Sequence, residues 1–598
     1  MKVTTEHLVE LLQASGDFSH LQTDILTDLA SSLELVTVDG GEVVLKEGES
    51  SDSMFILVRG RLRVSRIDRD GNRLLYNEVL PGDCVGETGM ILKQDRTADI
   101  TAMRDSVLAV LNYDRFEQLI EKHPLELNRA FSQAIYRHLR HDRRVTERRR
   151  AQSFFVIPLH STVNIEAFAE QFKLSLESHG ETEIIETESV NFEKGTGDSL
   201  DLDRAEAEKD YLIFKGRFGG KQLDNTIQHA DQVVFVADGN ADSEITALEL
   251  ELGRKVDLEL LRRHLALVYP EDTQFCGDRI EWNKERNTER VYPMKLQQSA
   301  DFARLSRFLL GKAVGVVLGG GGARGFAHLG VLKAFEESGV PVDIIGGNSM
   351  GALIGACYVA GMPRESIHKE ILKYSKGGMK LTLPLVSLMS NKNLQGAFKQ
   401  ALGDVDIQRL WTPYFAAACN LTTADTLVLS EGPLWQAVLA SNSPAGLFPP
   451  VVVDGHLLVD GAILENVPVQ AMRQRLSTPL ERRRGNGAII AIDVDVKEAF
   501  EVNKEVTSLS AWNKLKSHFE KPKAKKKEVL PGIVDILMQV AHIGGLAQRQ
   551  RTKFSADIYF EPPLGNFGMM DYKSAEDIIQ VGYNYAMDQI SHIQQSLE

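Results

Sequence analysis

The chain has 598 residues, 43% hydrophobic and 25% charged, a composition of globular character and a length too great for one ordinary core. Its 68 basic and 83 acidic residues leave a net charge of −15, which argues against a nucleic-acid-binding protein overall. Three or four domains are expected, and the scattered Cys84, Cys276, Cys357 and Cys419 show no metal-ligand spacing and fit a reduced, cytosolic compartment.

Met1 to Leu12 lacks a basic-then-apolar run, so no signal peptide is expected. No uninterrupted apolar run reaches the roughly 18 to 20 residues of a membrane span. The nearest, Val342 to Gly361, is broken by Asp343, Asn348, Ser349 and several glycines. Any membrane contact is therefore expected to be peripheral.

Residues 18–118 read as closely spaced strands, among them Val43 to Leu45, Met54 to Val58 and Leu62 to Val64. Gly48, Gly60, Gly71 and Gly82 punctuate them, which predicts a sandwich or barrel. A helix is predicted over 115–150, with Leu127, Phe131, Ile135 and Leu139 at helical spacing. Its basic end (Arg137, Arg140, Arg143, Arg144, Arg148, Arg149, Arg150) reads as a solvated face leading to a linker, with anionic lipid or DNA contact as the alternatives.

Residues 152–295 alternate strands (Phe154 to Leu159, Val233 to Val236, Leu265 to Tyr269) with an amphipathic helix, Ile165 to Ser178. A small α/β unit with a structural or regulatory role is expected. From 311 onward the order is strand, glycine loop, helix, strand, Gly-x-Ser-x-Gly, helix and later strands, an α/β pattern. Lys514 to Lys527, a lysine-rich run with Pro522, is predicted to be an exposed loop.

Three motifs carry chemistry in this last region. Gly319-Gly320-Gly321-Gly322-Ala323-Arg324-Gly325 follows the apolar strand Ala313 to Leu318 and opens the helical run Phe326 to Ser338. Glycines let backbone N–H groups converge without side chains in the way. At a helix N-terminus those groups favour negative charge, which is what an oxyanion hole requires. Gly320, Gly322 and Gly325 also fit a dinucleotide fingerprint, but the next strand, Val342 to Ile345, ends in Gly346-Gly347-Asn348 without the acid that fingerprint needs.

The second motif, Gly347-Asn348-Ser349-Met350-Gly351, lies between a strand and the small-residue helix Ala352 to Ala360, the setting of a nucleophile elbow. The third is Asp460-Gly461-Ala462, at the end of a hairpin that turns at Asp454-Gly455. A three-member serine site needs a histidine after Asp460. His518, His542 and His592 have no convincing loop setting, and His328 and His456 read as structural. A Ser349–Asp460 dyad with Asp460 as general base is the simpler account, with no metal.

Together these motifs resemble the patatin-like phospholipase family over 314–474, including Asn466-Val467-Pro468. The resemblance implies a three-layer α/β/α fold and hydrolysis of lipid acyl esters. It makes Ser349 the nucleophile and Asp460 the base, flanked by Gly347 and Gly351. Gly320, Gly321 and Gly322 become the oxyanion donors, and Arg324 the support of their loop.

The first region resembles the cyclic nucleotide-binding family. Gly41-Glu42-Val43-Val44, Glu47-Gly48-Glu49, Met54 to Val58 with Gly60, and Pro81-Gly82-Asp83 with Val85-Gly86-Glu87 follow its pattern. The resemblance implies a β-barrel or jelly roll whose phosphate-binding cassette runs from Gly86 to Ala98. Glu87 would hold the ribose hydroxyl and Arg96 the cyclic phosphate, aided by N–H groups near Thr88 and Gly89 and by Thr97.

The combined order resembles the neuropathy target esterase group. The expected chain is a cyclic nucleotide-binding-like domain (1–150), an α/β intermediate domain (151–300) and a patatin-like domain (301–598). The function implied is a cytoplasmic, peripherally membrane-associated lysophospholipase or phospholipase with cyclic AMP or cyclic GMP as a candidate regulator. The rival is a cyclic-nucleotide sensor or scaffold with a non-catalytic patatin-like domain.

Overall fold

The structure, a computed structural model, describes residues 3–15, 18–67, 73–79, 81–140, 151–187, 205, 208–218, 223, 226–227, 230–256, 258, 261–376, 380–382, 385–476, 487–496 and 533–597. The arginines from Arg143 to Arg150 and the run Lys514 to Lys527 lie outside them. Two compact units are present, and the first includes residues 1–274 and 279–311.

After two helices, Thr5–Ala14 and Thr23–Ser31, the first unit carries eight strands: β1 (Glu34–Val38), β2 (Val43–Leu45), β3 (Ser53–Arg59), β4 (Leu62–Ile67), β5 (Arg73–Val79), β6 (Cys84–Val85), β7 (Asp99–Ala102) and β8 (Ser106–Asn112). They form two antiparallel sheets, β1-β8-β3-β6 and β2-β7-β4-β5, the expected roll. Alternation along β3 explains the layering, because successive strand residues face opposite sides. Leu57 turns inward to pack with Leu45, Leu62, Val79 and Leu108. Met54 and Ile56 turn outward onto helices and meet Leu127 and Phe131 of α2 (Pro124–Arg140). The short α1 (Glu87–Leu92) carries the cassette.

In the same unit, β9 (Gln152–Pro158), β10 (Thr182–Glu186), β11 (Tyr211–Lys215), β12 (Gln232–Asp238), β13 (Arg262–Tyr269) and β14 (Arg290–Lys295) make an all-parallel sheet in the order β10-β11-β9-β12-β13-β14. Helix α3 (Ile165–Glu177) covers it as the amphipathic pattern predicts. Ser299–Leu309 is a helix that packs on α3 through Phe302 and Phe168, 5.2 Å between ring centroids. The first unit runs on to Gly311.

The second unit is built on β15 (Val314–Leu318), β16 (Ile344–Asn348), β19 (Tyr414–Asn420), β20 (Asp425–Leu429), β21 (Val451–Val453), β22 (His456–Asp460), β23 (Ala488–Ile492) and β24 (Ile558–Phe560), with a separate hairpin of β17 (Lys380–Leu381) and β18 (Met389–Ser390). The main sheet runs β21-β22-β19-β16-β15-β23-β24, with β20 paired to β19. Its centre is parallel, and β20, β21 and β22 are antiparallel.

Helices cover both faces of this sheet. Val314, Val316 and Leu318 join the core formed with α4 (Ala327–Ser338), α5 (Met350–Val359) and α9 (Ala575–Leu597). Gly315 points the other way, towards Met472 of α7 (Val469–Leu476). Two further helices bear on the site, α6 (Leu434–Ser441) and α8 (Ile533–Ser555). No described helix is long and apolar enough to cross a membrane.

Candidate active site

Strand β16 ends at Asn348, and Ser349 takes φ 51° and ψ −125° before α5 begins. A non-glycine residue rarely holds this backbone conformation, which costs on the order of 1–3 kcal/mol and persists only where its surroundings impose it. Here they do. The Ser349 N–H donates to Ser441 Oγ at 2.9 Å, and Asn442 Nδ2 donates to the Ser349 carbonyl at 2.8 Å. Two glycines permit the bend: a Cβ on Gly347 would lie 2.6 Å from the Leu318 carbonyl, and one on Gly351 would collide with the same oxygen.

Asp460 closes β22 and is 5% exposed. The hairpin before it turns at Asp454 (φ 48°) and Gly455 (φ 81°), as its sequence predicts. The Ser349 hydroxyl donates to Asp460 Oδ2 at 2.7 Å. Oδ1 accepts the Ala462 N–H at 3.0 Å, and the Asp460 N–H donates to the Ser443 carbonyl at 2.9 Å. Asn348 is fully buried and ties the two halves together, its Oδ1 accepting the Gly461 N–H at 3.1 Å.

The glycine loop leaves β15 and opens a 3-10 turn, Gly322–Phe326, ahead of α4. A Cβ on Gly320 would stand 2.8 Å from Asn466 Oδ1 and 3.0 Å from Ser349 Cβ, so a side chain there would crowd both. Gly320 itself is not a free donor. Its N–H points to Asn466 Oδ1 at 3.1 Å, while Asn466 Nδ2 donates to the Gly320 carbonyl at 3.0 Å. The N–H groups of Gly321 and Gly322 have no acceptor among the described residues. Of the three glycines expected to donate, Gly320 has its N–H held by Asn466 and forms the clamped end of the loop.

Arg324 is 1% exposed. Its Nε donates to the Phe567 carbonyl at 2.7 Å, and Nη1 lies 3.8 Å from Asp495 Oδ1, so it anchors the loop from behind.

His328 and His456 are each bonded away from Ser349 and Asp460. His328 is fully buried with Nε2 2.8 Å from the Gly319 carbonyl, and burial pushes its pKa down to about 4. The imidazole is therefore neutral and structural. His456 pairs with Asn420 at 3.1 Å. His592 is exposed on α9; His518 and the His542 side chain lie outside the described set. Burial raises the Glu465 carboxyl to about 7, against the opposing pull of the Gln470 and Val469 N–H groups at the start of α7. Ser441, Asn442 and the clamping role of Asn466 have no sequence signature.

The cassette brings Gly86, Glu87, Thr88 and Arg96 together and leaves Thr97 exposed. Gly86 has φ 79°, and a Cβ there would sit 2.5 Å from Arg96 Nη1. The Arg96 guanidinium donates to the Gly86 carbonyl at 2.9 Å and to the Ser53 carbonyl at 2.8 Å. Burial lowers its pKa against the opposing pull of Asp52, Glu87 and Glu49. Thr88 Oγ1 donates to Glu87 Oε1 at 2.8 Å.

Residues 316–473 match the family model described as patatin-like phospholipase, and residues 35–123 match the cyclic nucleotide-binding domain. The chain is similar to Patatin-like phospholipase domain-containing protein 6 of Pongo abelii, 27% identical over 96% of this chain and 46% of that one. It is also similar to Neuropathy target esterase sws of Drosophila melanogaster (27%; 92% and 42%). A third relative is Patatin-like phospholipase domain-containing protein 7 of Rattus norvegicus (27%; 93% and 45%). The chain thus spans just under half the length of these relatives. It carries a cyclic nucleotide-binding domain followed by a patatin-like phospholipase domain.

Proposed function

We propose that the chain is a carboxylic ester hydrolase acting on lysophospholipids or phospholipids through Ser349 and Asp460. The observation that carries this reading is the 2.7 Å bond between the two side chains at a backbone elbow held out of its relaxed conformation. As Ser349 Oγ attacks the acyl carbonyl carbon, Asp460 Oδ2 takes its proton. The N–H groups of Gly321 and Gly322 accept the charge on the carbonyl oxygen. Collapse breaks the ester C–O bond, and the proton on Asp460 passes to the leaving alcohol. A water then attacks the acyl-enzyme and gives its proton to Asp460. As the acyl–Oγ bond breaks, the fatty acid leaves and the proton returns to Ser349. The names of the relatives, a phospholipase and an esterase, support this class of substrate.

The test is hydrolysis of a panel of lysophospholipids, diacyl phospholipids and a short-chain soluble ester. Ser349→Ala and Asp460→Asn are each expected to remove nearly all turnover. Because the two act as one unit, the double variant should be little worse than either. Near-normal activity of Asp460→Asn would overturn the assignment of the base.

The cassette favours a second role for the first domain, binding of a cyclic nucleotide. Its ligand phosphate would replace the Ser53 and Gly86 carbonyls on Arg96, while Glu87 receives the ribose hydroxyl. If no nucleotide binds, the domain is an interaction module and the hydrolase stands alone.

A further inference from the structure

Helix α8 is 23 residues long and carries an apolar stripe that nothing among the described residues covers. Ile533, Ile536, Val540 and Ile543 are 62%, 40%, 63% and 57% exposed, at spacings of three and four that place them on one side of the helix. Phe554, 87% exposed, continues that side about three turns further on. The helix contains one acid, Asp535, against Arg549, Arg551 and Lys553, so it is locally basic in a chain of net charge −15. Five lysines and no acid lie between 521 and 527 in the sequence leading to it.

The hairpin of β17 and β18 exposes a second apolar group: Leu381, Leu385 and Val386 at 81%, 89% and 70%. One loop joins both features to the dyad. Asn442 holds the Ser349 carbonyl and Ser443 receives the Asp460 N–H. Gly446 and Leu447 accept N–H groups from Leu388 and Met389 at 3.0 and 2.9 Å. A Cβ on Gly446 would stand 3.5 Å from the methyls of Leu537 of α8. The helix also presses on the turn just after Asp460. A Cβ on Gly545 would lie 2.9 Å from the Ala462 carbonyl, and one on Gly544 would collide with the Ile463 carbonyl.

We infer that α8 and the β17–β18 hairpin together form the face that seats the enzyme on an anionic lipid surface, placing the dyad at the boundary from which a substrate molecule is drawn. The inference rests on the proposed lipid hydrolysis and deepens it. An exposed apolar stripe bordered by basic residues is what an interfacial helix presents, apolar side to the acyl boundary and cations to the head groups. Exposed apolar surface of this extent beside a candidate catalytic site is otherwise a solubility cost. A substrate with long acyl chains is held in aggregates, so an enzyme acting on it gains by docking beside them.

The 598-residue chain is sedimented with phosphatidylcholine vesicles, with and without phosphatidylglycerol, and compared with Val540→Asp/Ile543→Asp and, separately, Leu385→Asp. The parent chain is expected to sediment with the anionic vesicles. Each exposed apolar side chain taken out of water contributes roughly a factor of ten to partition, so both variants should lose at least that. Hydrolysis of vesicle-borne lysophospholipid should fall in step, while turnover of a soluble short-chain ester stays unchanged and reports intact folding and chemistry. Vesicle binding by both variants within about twofold of the parent would overturn the inference. So would a parent chain that fails to sediment with either vesicle. A change from dimer to monomer without change in partition would assign the stripe to a second copy of the chain. If the parent chain hydrolyses no ester at all yet sediments, the proposed function fails and the docking face stands.

Discussion

Asn466 offers the sharpest test of how the glycine loop is aimed. Its side chain is 6% exposed and pairs with both backbone groups of Gly320, donating at 3.0 Å and accepting at 3.1 Å across 146 positions of sequence. Removing it in Asn466→Ala leaves the buried Gly320 carbonyl unpaired and the Gly320 N–H with only its longer 3.4 Å bond to the main-chain carbonyl of residue 466, a local cost of about 1–3 kcal/mol. The loop relaxes by rotating the Gly320 peptide, and the adjoining N–H groups of Gly321 and Gly322 lose their aim. Loss of one oxyanion donor typically costs about a hundredfold or more in kcat. Because those donors act on charge that develops only in the transition state, kcat and kcat/KM should fall together. Asn466→Asp separates this account from a purely structural one. The aspartate keeps the acceptor for the Gly320 N–H, so as a clamp it should be the milder change. It also places a carboxylate beside the developing oxyanion, so by the electrostatic argument its kcat should be the lower of the two. Steady-state hydrolysis of a soluble chromogenic ester, with Tm measured alongside, decides the matter. Turnover within about threefold of the parent in both variants, or an aspartate variant more active than the alanine one, would refute the reasoning.

Three further outcomes follow from the same geometry. Ser441→Ala removes the acceptor of the Ser349 N–H and frees the elbow to relax from φ 51°, so phosphonylation of Ser349 by a fluorophosphonate should slow by about tenfold. His328 is held neutral, its folded pKa about 4 against 6.5 unfolded. The unfolded chain therefore binds the extra proton first, and stability that is complete above pH about 6.5 is lost as pH falls towards 4, to a total of about 3 kcal/mol. His328→Gln should flatten that part of the stability–pH curve in chemical unfolding. Calorimetry on the 598-residue chain should show heat with cyclic AMP or cyclic GMP that Arg96→Ala abolishes. No heat from the parent chain at millimolar ligand would leave the first domain a docking module.

The parts of the site legible in the sequence are those whose physics is local. A glycine loop after an apolar strand, glycines on both sides of a serine, and Asp454-Gly455 between two apolar runs each dictate a backbone path within a few residues, and all three paths are present. Ser441, Asn442 and Asn466 were not legible as site residues because their partners lie 92 to 146 positions away, and a polar residue after an apolar helix reads equally well as a cap. The α/β unit shows the same limit. β9, β12 and β13, three of its four inner strands, are continuous apolar runs and stood out, as buried parallel strands do, while the five-residue inner strand β11 was not picked out. β14 did not. It is an edge strand, and the edge is where Pro293, lacking an N–H, is tolerated. The helix Ser299–Leu309 is amphipathic from its sequence, but which sheet it covers depends on Phe168, far upstream.

A serine nucleophile ordinarily needs a base and a group that aims the base. An imidazole base can rotate and can exist as either of two tautomers, so it needs a third side chain to fix it. A carboxylate has no tautomers, and its two oxygens can divide the work. Asp460 gives Oδ2 to Ser349 and Oδ1 to the Ala462 N–H, while its own N–H is held by Ser443. The next peptide is held by Asn348, the residue immediately before the nucleophile. Both members of the dyad are thus aimed by backbone groups and by one shared asparagine at the end of β16. In the proposed mechanism that arrangement removes the need for a histidine base, which leaves His328, buried and neutral, to hold the Gly319 carbonyl of the glycine loop.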